Sequence, residues 1–211
     1  VDREQEQRHR TRGGVIEVRS VTGGGIGPFL PDLARLRITV FRDWPYLYDG
    51  DPAYEQTYLA TYAASPESLF VLALDRERVI GASTGIPLND ETESVKAPFR
   101  AAGMDERAVF YFGESVLLRE YRGRGLGHRF FDARERYARE LGRFDWTAFC
   151  AVVRDPADPR RPRDYRGNEA FWTKRGYERR PDMVTQIAWK EIGESVTSEK
   201  PLSFWLRRLA R

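Results

Sequence analysis

One cysteine, two histidines and two methionines are all that this 211-residue chain holds of the soft metal-binding side chains. Cys150 alone excludes an internal disulfide and any thiolate cluster, and His9 and His128 do not have the spacing of a zinc site, so no metal is expected. No apolar stretch approaches the ~20 residues that a membrane-crossing helix needs, and the polar N-terminal stretch lacks the apolar core of a secretory leader. No membrane partner is expected, and a cytoplasmic location follows by default. A net charge of +3 from 35 basic and 32 acidic residues is too balanced to argue for nucleic acid. No segment repeats.

What the chain does have is a strand, a glycine-rich turn and a helix in immediate succession. Ala108 to Leu118 is an apolar run with aromatic and β-branched content, which predicts a central strand buried on both faces. Gly123, Gly125 and Gly127 then remove side chains where backbone N–H groups must turn inward. Leu126, Phe130, Ala133, Tyr137 and Leu141 follow at helical spacing, with Gly142 as a stop. The free N–H groups and dipole at the helix start attract an anion, and Arg122, Arg124, His128 and Arg129 surround it with positive charge. A Walker loop is excluded because no Lys follows the glycines. The dinucleotide fingerprint is excluded because His128 stands where its third glycine belongs. A tract of RNA-binding low complexity would repeat, and this one occurs once between two patterned segments.

The rest of the chain falls into ordered pieces. Residues 1–12 are nearly all polar and read as a mobile tail, 13–195 as the folded domain, and 196–211 as a separate amphipathic segment. Within the domain, Val15 to Val21 alternates like a first strand, and Pro28 to Trp44 carries apolar residues at helical intervals. Asp51 caps a second helix that runs to Tyr62, with Pro52 in its first turn. Ser68 to Leu74 and Val79 to Ile86 form a hairpin, and Val95 to Met104 a short extra helix. Trp146 to Val153 is a buried strand, Asn168 to Arg175 a short helix, and Met183 to Ile192 the closing strand. In the last segment Leu202, Trp205, Leu206 and Leu209 make an apolar stripe, which docks on the chain's own domain or forms a homodimer contact.

Arg122-x-x-Gly125-x-Gly127 resembles the pyrophosphate-binding motif of the GNAT superfamily of acetyl-CoA-dependent N-acetyltransferases. A second stretch, Asn168-Glu-Ala-Phe-Trp-Thr-Lys-Arg-Gly-Tyr177, is similar to its closing motif. The resemblance spans about residues 15–192 and implies an α/β (α+β) fold: a mixed, mostly antiparallel central sheet flanked by helices on both faces. It further implies acetyl-CoA as co-substrate and a primary amine of a small molecule or peptide as acceptor, joined by direct attack in a ternary complex. The implied cofactor contacts are Ser115, Val116, Leu117, Leu118, Arg122, Gly123, Arg124, Gly125, Leu126, Gly127, His128 and Asn168. Backbone N–H groups around Val116 to Leu118 would polarise the thioester carbonyl.

Catalytic groups are less clearly marked. An amine with a pKa near ~10 must lose a proton before attack, and Glu114 in the central strand is either the base or the partner of an arginine. The family often places a proton-donating Tyr where this chain has Trp172, whose indole N–H is not an acid near neutral pH. Tyr165 is the substitute, against the plainer reading of a surface loop tyrosine, while Tyr177 reads as core. Cys150 reads as a buried, inert thiol rather than an acyl carrier. By the resemblance, the acceptor lies against Trp44, Tyr46, Tyr48 and Asp49, and against the acidic residues 89–94, which read more simply as a solvated surface. The arginines after Val153 point to an acidic group on the acceptor or to the CoA 3′-phosphate. The alternative function is a regulatory module that binds acyl-CoA without catalysis.

Overall fold

The computed structural model describes residues 16–210, so the expected tail at 1–12 lies outside the described residues. Strand β1 (Glu17–Thr22) pairs antiparallel with β2 (Leu69–Asp75), and β2 with β3 (Arg78–Pro87). Almost every residue of β2 and β3 is buried, which is why they read as unbroken apolar runs rather than alternating ones. Between β1 and β2 lie two helices, α1 (Leu30–Phe41) and α2 (Pro52–Ala64). Asp51 caps α2 as its sequence predicts, accepting the Ala53 N–H at 2.9 Å, with Pro52 opening the helix. A short helix α3 (Glu93–Ala101) follows β3.

The apolar run at 108–118 is not one strand. It forms β4 (Val109–Tyr111) and β5 (Ser115–Leu117), separated by Phe112, Gly113 and Glu114. β4 lies between β3 and β6 (Trp146–Val152), running parallel to β6, whereas β5 pairs with β3 alone. The chain keeps hold of β6 as far as Phe112, whose N–H reaches the Ala148 carbonyl at 2.7 Å, and then turns wholly toward β3. Gly113 sits at the turning point, where a Cβ would overlap Tyr62 Oη and crowd Thr84 Oγ1. Hydrophobicity could not reveal the break, because Phe112 and Glu114 on either side of Gly113 are as buried as residues of a continuous strand.

Helix α4 (Leu126–Glu140) packs on the sheet, and α5 (Glu169–Lys174) precedes β7 (Glu178–Trp189). The terminal segment also departs from expectation: Ser198–Arg208 is β8, inserted between β6 and β7. Leu202, Trp205, Leu206 and Leu209 are therefore core, in keeping with docking on the chain's own domain, and the segment set apart after 195 supplies a strand of the same sheet. A short apolar run does not distinguish strand from helix by its period, and here a stripe of helical spacing belongs to a strand covered on both faces. The result is a mixed, mostly antiparallel sheet in the order β1-β2-β3-β4-β6-β8-β7, with helices packed against it. Among the described residues no helix is long and apolar enough to cross a membrane.

Candidate active site

The break after β4 leaves one edge of β5 open. Leu118 N–H bonds to the Ile80 carbonyl at 3.0 Å, and Thr84 N–H to the Glu114 carbonyl at 3.0 Å. With Ala82 opposite Val116, even-numbered residues of this stretch face β3, and the N–H groups of Ser115 and Leu117 turn to the other side. The expected N–H donors thus change by one residue: Val116 and Leu118 are committed to the sheet, and their side chains are core. The Leu117 carbonyl on the open edge accepts Arg122 Nε at 3.1 Å, which ties the following turn to the strand.

Gly123 and Gly125 have φ of 76° and 77°, a left-handed conformation costly to other residues, and a Cβ on either would stand in open space. Gly125 caps α4 without a side chain, so the N–H groups of Leu126 and Gly127 at the first turn have no intrahelical acceptor and remain available to an anion. These residues, with Ser115, Leu117 and Arg122, border a groove of about 480 Å³. Its opposite wall carries Tyr165, Arg166, Asn168 and Trp172 from the loop before α5 and from α5 itself. Trp172 packs against Phe149 and Trp205, and Tyr165 meets the Trp44 ring edge-on with centroids 6.2 Å apart. Burial raises the Tyr165 pKa and holds it protonated. Tyr177 is core, bonded to Thr147 and Glu135.

A second cavity of about 460 Å³ opens on the other side of the break. Phe41, Tyr46, Gly113, Glu114 and Cys150 line both cavities, so the two meet there. Glu114 is 6 % exposed; one oxygen, Oε2, accepts Arg37 Nη1 and Tyr58 Oη, the latter at 2.7 Å. Its other oxygen, Oε1, is buried without a hydrogen-bond partner. Arg37 also donates from Nε to Glu55 at 2.5 Å and lies 3.8 Å over the Tyr58 ring. Burial works against the charge on Arg37, but Glu114, Tyr58 and Glu55 outweigh it and raise its pKa, so it stays protonated. Glu91 is buried in the same wall, accepting Tyr62 Oη and the Thr92 N–H, and burial raises its pKa.

Arg134 supports the break from below. Its Nη1 reaches the carbonyls of Thr84 and Glu114 at 3.3 and 3.2 Å, its Nη2 the Ser115 hydroxyl at 2.9 Å, and its guanidinium lies over Phe112 and Phe131. Burial brings its pKa down to about 10, still protonated at neutral pH. Cys150 is a half-buried thiol bonded to Tyr111 Oη at 3.0 Å, and burial pushes its pKa up to about 12, far from the thiolate an acyl carrier would need.

Several expected residues lie elsewhere. Arg124 turns to the Glu120 carbonyl and the Tyr121 ring, and His128 packs on Phe171 with Arg175 at its Nδ1; neither borders the groove. Trp44 lines the groove beside the glycine turn rather than the second cavity. Tyr46 and Tyr48 do line the second cavity, whereas Asp49 pairs outside it with Lys190 at 3.0 Å. Two arginines after Val153, Arg154 and Arg160, close on Glu191 at 2.5 and 2.7 Å, and Arg154 also holds the Pro45 and Tyr46 carbonyls. They lock the aromatic loop in place instead of facing a ligand. Glu91, Thr92 and Ser94 of the acidic segment 89–94 line the second cavity, whereas Arg37, Glu55, Tyr58 and Arg134 escaped the sequence reading. Periodicity carried a signal for three of them: Arg37 is four residues from buried Leu33, Glu55 four from buried Leu59, and Tyr58 four from Tyr62.

The sheet is splayed after its fourth strand, with a glycine turn and a bare helix N-terminus at the opening. Residues 34–159, well over half of the chain, match the family model described as acetyltransferase (GNAT) family, and the chain belongs to that family. Solved structures agree on the fold. The ribosomal-protein-alanine N-acetyltransferase of Brucella melitensis is 14% identical with a TM-score of 0.58, over 92% of this chain and 99% of that one. Arabidopsis thaliana NAA60 in complex with acetyl-CoA is 13% identical with a TM-score of 0.57, over 92% and 98%. Salmonella typhimurium yncA with its cofactor acetyl-CoA is 9% identical with a TM-score of 0.55, over 93% and 95%. No curated protein sequence matches the chain.

Proposed function

We propose that this chain is an N-acetyltransferase that moves the acetyl group of acetyl-CoA to a primary amine by direct attack in a ternary complex. The observation that carries the reading is the meeting of two cavities at Glu114 beside the open edge of β5. The groove suits a pyrophosphate: its turn presents backbone where side chains would intrude, and the α4 N-terminus has no side-chain cap. In this reading Gly123 to Gly127 hold the pyrophosphate, Arg122 fixes the turn, and Asn168, at the start of α5, borders the groove. Acetyl-CoA supplies the activated acyl group as a thioester.

The N–H groups of Ser115 and Leu117 face the groove and polarise the acyl carbonyl as charge develops on its oxygen. Glu114 Oε1 takes the proton that the attacking amine nitrogen releases, directly or through one water. As the C–N bond forms and the C–S bond breaks, Tyr165 or water protonates the departing thiolate. That need is modest, because a thiol pKa of about 8.5 lies close to neutral pH. Trp172 contributes shape rather than a proton. Thiol release from acetyl-CoA, measured with and without a panel of primary amines, tests the reading; release that needs an amine is the expected result. Tight acetyl-CoA binding without turnover on any amine would favour the regulatory module, to which Trp172 in the usual acid position lends its support.

A further inference from the structure

Resting on the transferase reading, the second cavity narrows the acceptor. Its wall is a nearly continuous aromatic surface: Phe41 meets Tyr46 at 4.5 Å between centroids, Tyr46 meets Trp189 at 5.8 Å, and Tyr48, Tyr54 and Tyr58 follow at 6.0 and 6.5 Å. Much of its polarity is already spent. Tyr48 Oη is bonded to the Asp51 backbone, Tyr58 Oη to Glu114, and Tyr111 Oη to Cys150. A ligand therefore meets mostly ring faces and edges, with the hydroxyls of Tyr46 and Tyr54 left to it.

The charges are equally one-sided. The charged residues lining the cavity are Arg37, Glu91, Glu114 and, exposed at the rim, Glu199. Arg37 is held between Glu55 and Glu114 under the Tyr58 ring, so one guanidinium faces two carboxylates before Glu91 is added. Formal charge in the buried cluster is negative, and Glu114 Oε1 lacks a partner. An ammonium group complements that excess and a carboxylate worsens it. None of the arginines after Val153 lines this cavity: Arg154 and Arg160 are closed on Glu191, and Arg166 borders the groove.

We propose that the acceptor is an arylalkylamine: a primary ammonium group on a short chain, with an aromatic body and no acid group beside the amine. The ammonium sits between Glu114 Oε1 and Glu91, at the junction with the groove, and the ring lies among Tyr46, Tyr54 and Trp189. Glu91 is then a specificity-determining residue, since it binds the cation while Glu114 also takes the proton. Transfer itself is the step already described, with the amine nitrogen replacing the thiolate on the acyl carbon.

The test compares phenethylamine, phenylalanine and spermidine as acceptors for the full chain with acetyl-CoA, by thiol release and by calorimetric binding. The expected kcat/KM for phenethylamine exceeds that for phenylalanine by on the order of 100-fold, because the added carboxylate meets like charge in a desolvated site. Glu91→Gln is expected to raise the KM for phenethylamine about 10-fold with little change in kcat, and to narrow its lead over phenylalanine. Equal use of phenylalanine overturns the charge argument, and preference for spermidine overturns the aromatic one. If no acceptor turns over, binding decides: phenethylamine bound in preference to both others supports this inference while the transferase reading fails. Absence of that preference in binding overturns the inference as well.

Discussion

Replacing Glu114 by Gln separates the chemical from the structural use of a buried carboxylate. The structural cost follows from its contacts. Oε2 accepts one guanidinium N–H from Arg37 and the Tyr58 hydroxyl, and a hydrogen bond to a charged group contributes about 1.5–3 kcal/mol. Gln keeps an oxygen acceptor at that place, and Arg37 keeps Glu55 at 2.5 Å, so no cation is left unpaired. The substitution also relieves the crowding of two carboxylates around one guanidinium. The net loss is expected to stay below about 2 kcal/mol, or roughly 4–8 °C in melting temperature for a chain of this size. Turnover at pH 7 is expected to fall about 100-fold to 10,000-fold, the range of general base contributions. Acetyl-CoA affinity, measured by calorimetry, should hardly move. The variant must wait for amine already neutral in solution, so its kcat/KM should climb about tenfold per pH unit toward the amine pKa near ~10, and the gap to the wild type should close. A rate within about twofold of wild type at neutral pH, whatever the melting temperature, would show that Glu114 serves only the ion pair with Arg37.

Gly125→Val places a β-branched side chain at φ 77°, a strain of about 1–2 kcal/mol, and its Cβ enters open space beside the turn, so the fold should persist while calorimetric acetyl-CoA binding is lost. Tyr165→Phe should lower the rate by about 10-fold to 100-fold if Tyr165 protonates the thiolate; if Trp172→Tyr instead raises the rate and adds an alkaline pKa, the thiolate is protonated by water in the wild type. Glu194, lowered to about 2 chiefly by Lys200 at 2.7 Å, ties the turn before β8 to its first residues. Its folded pKa lies below its unfolded value, so its contribution is present above about pH 5 and is lost as pH falls toward 2; the urea midpoint difference between wild type and Glu194→Gln should shrink over that interval.

How much of this was readable from residues depends on which physical signal each element carries. The hairpin β2–β3, the cap at Asp51 and the turn at Gly123 to Gly127 were legible because each is fixed locally, by a buried run, a side-chain acceptor or a backbone conformation that favours glycine. The break between β4 and β5 was not, since Gly113 among Phe112 and Val116 looks like a tolerated glycine until Tyr62 and Thr84 are seen to fill its Cβ position. The insertion of β8 between β6 and β7 was hidden for a different reason: β7 directly precedes it in the chain, but its pairing with β6, far away in sequence, leaves no local mark.

The proposed donor and acceptor halves of the site differ in the same way. The groove is made largely of backbone, N–H groups on β5 and at the start of α4, so a short motif is enough to announce it. The second cavity, the proposed acceptor site, is made of side chains drawn mainly from α1, α2, the segment leading into α3, the β4–β5 break and β7, and no two of its charged groups are close in sequence: Glu114 is 77 residues from Arg37. Its chemistry emerges only when the fold brings these groups together. Two helices with buried polar residues at core positions, Arg37 on α1 and Glu55 on α2, were the one local warning, because an unpaired charge at such a position would be too costly to keep. A charge on the apolar face of a helix therefore asks for a partner of opposite sign from another element. In this chain that search leads from Arg37 to Glu114, and from Glu114 to the junction where the two cavities meet.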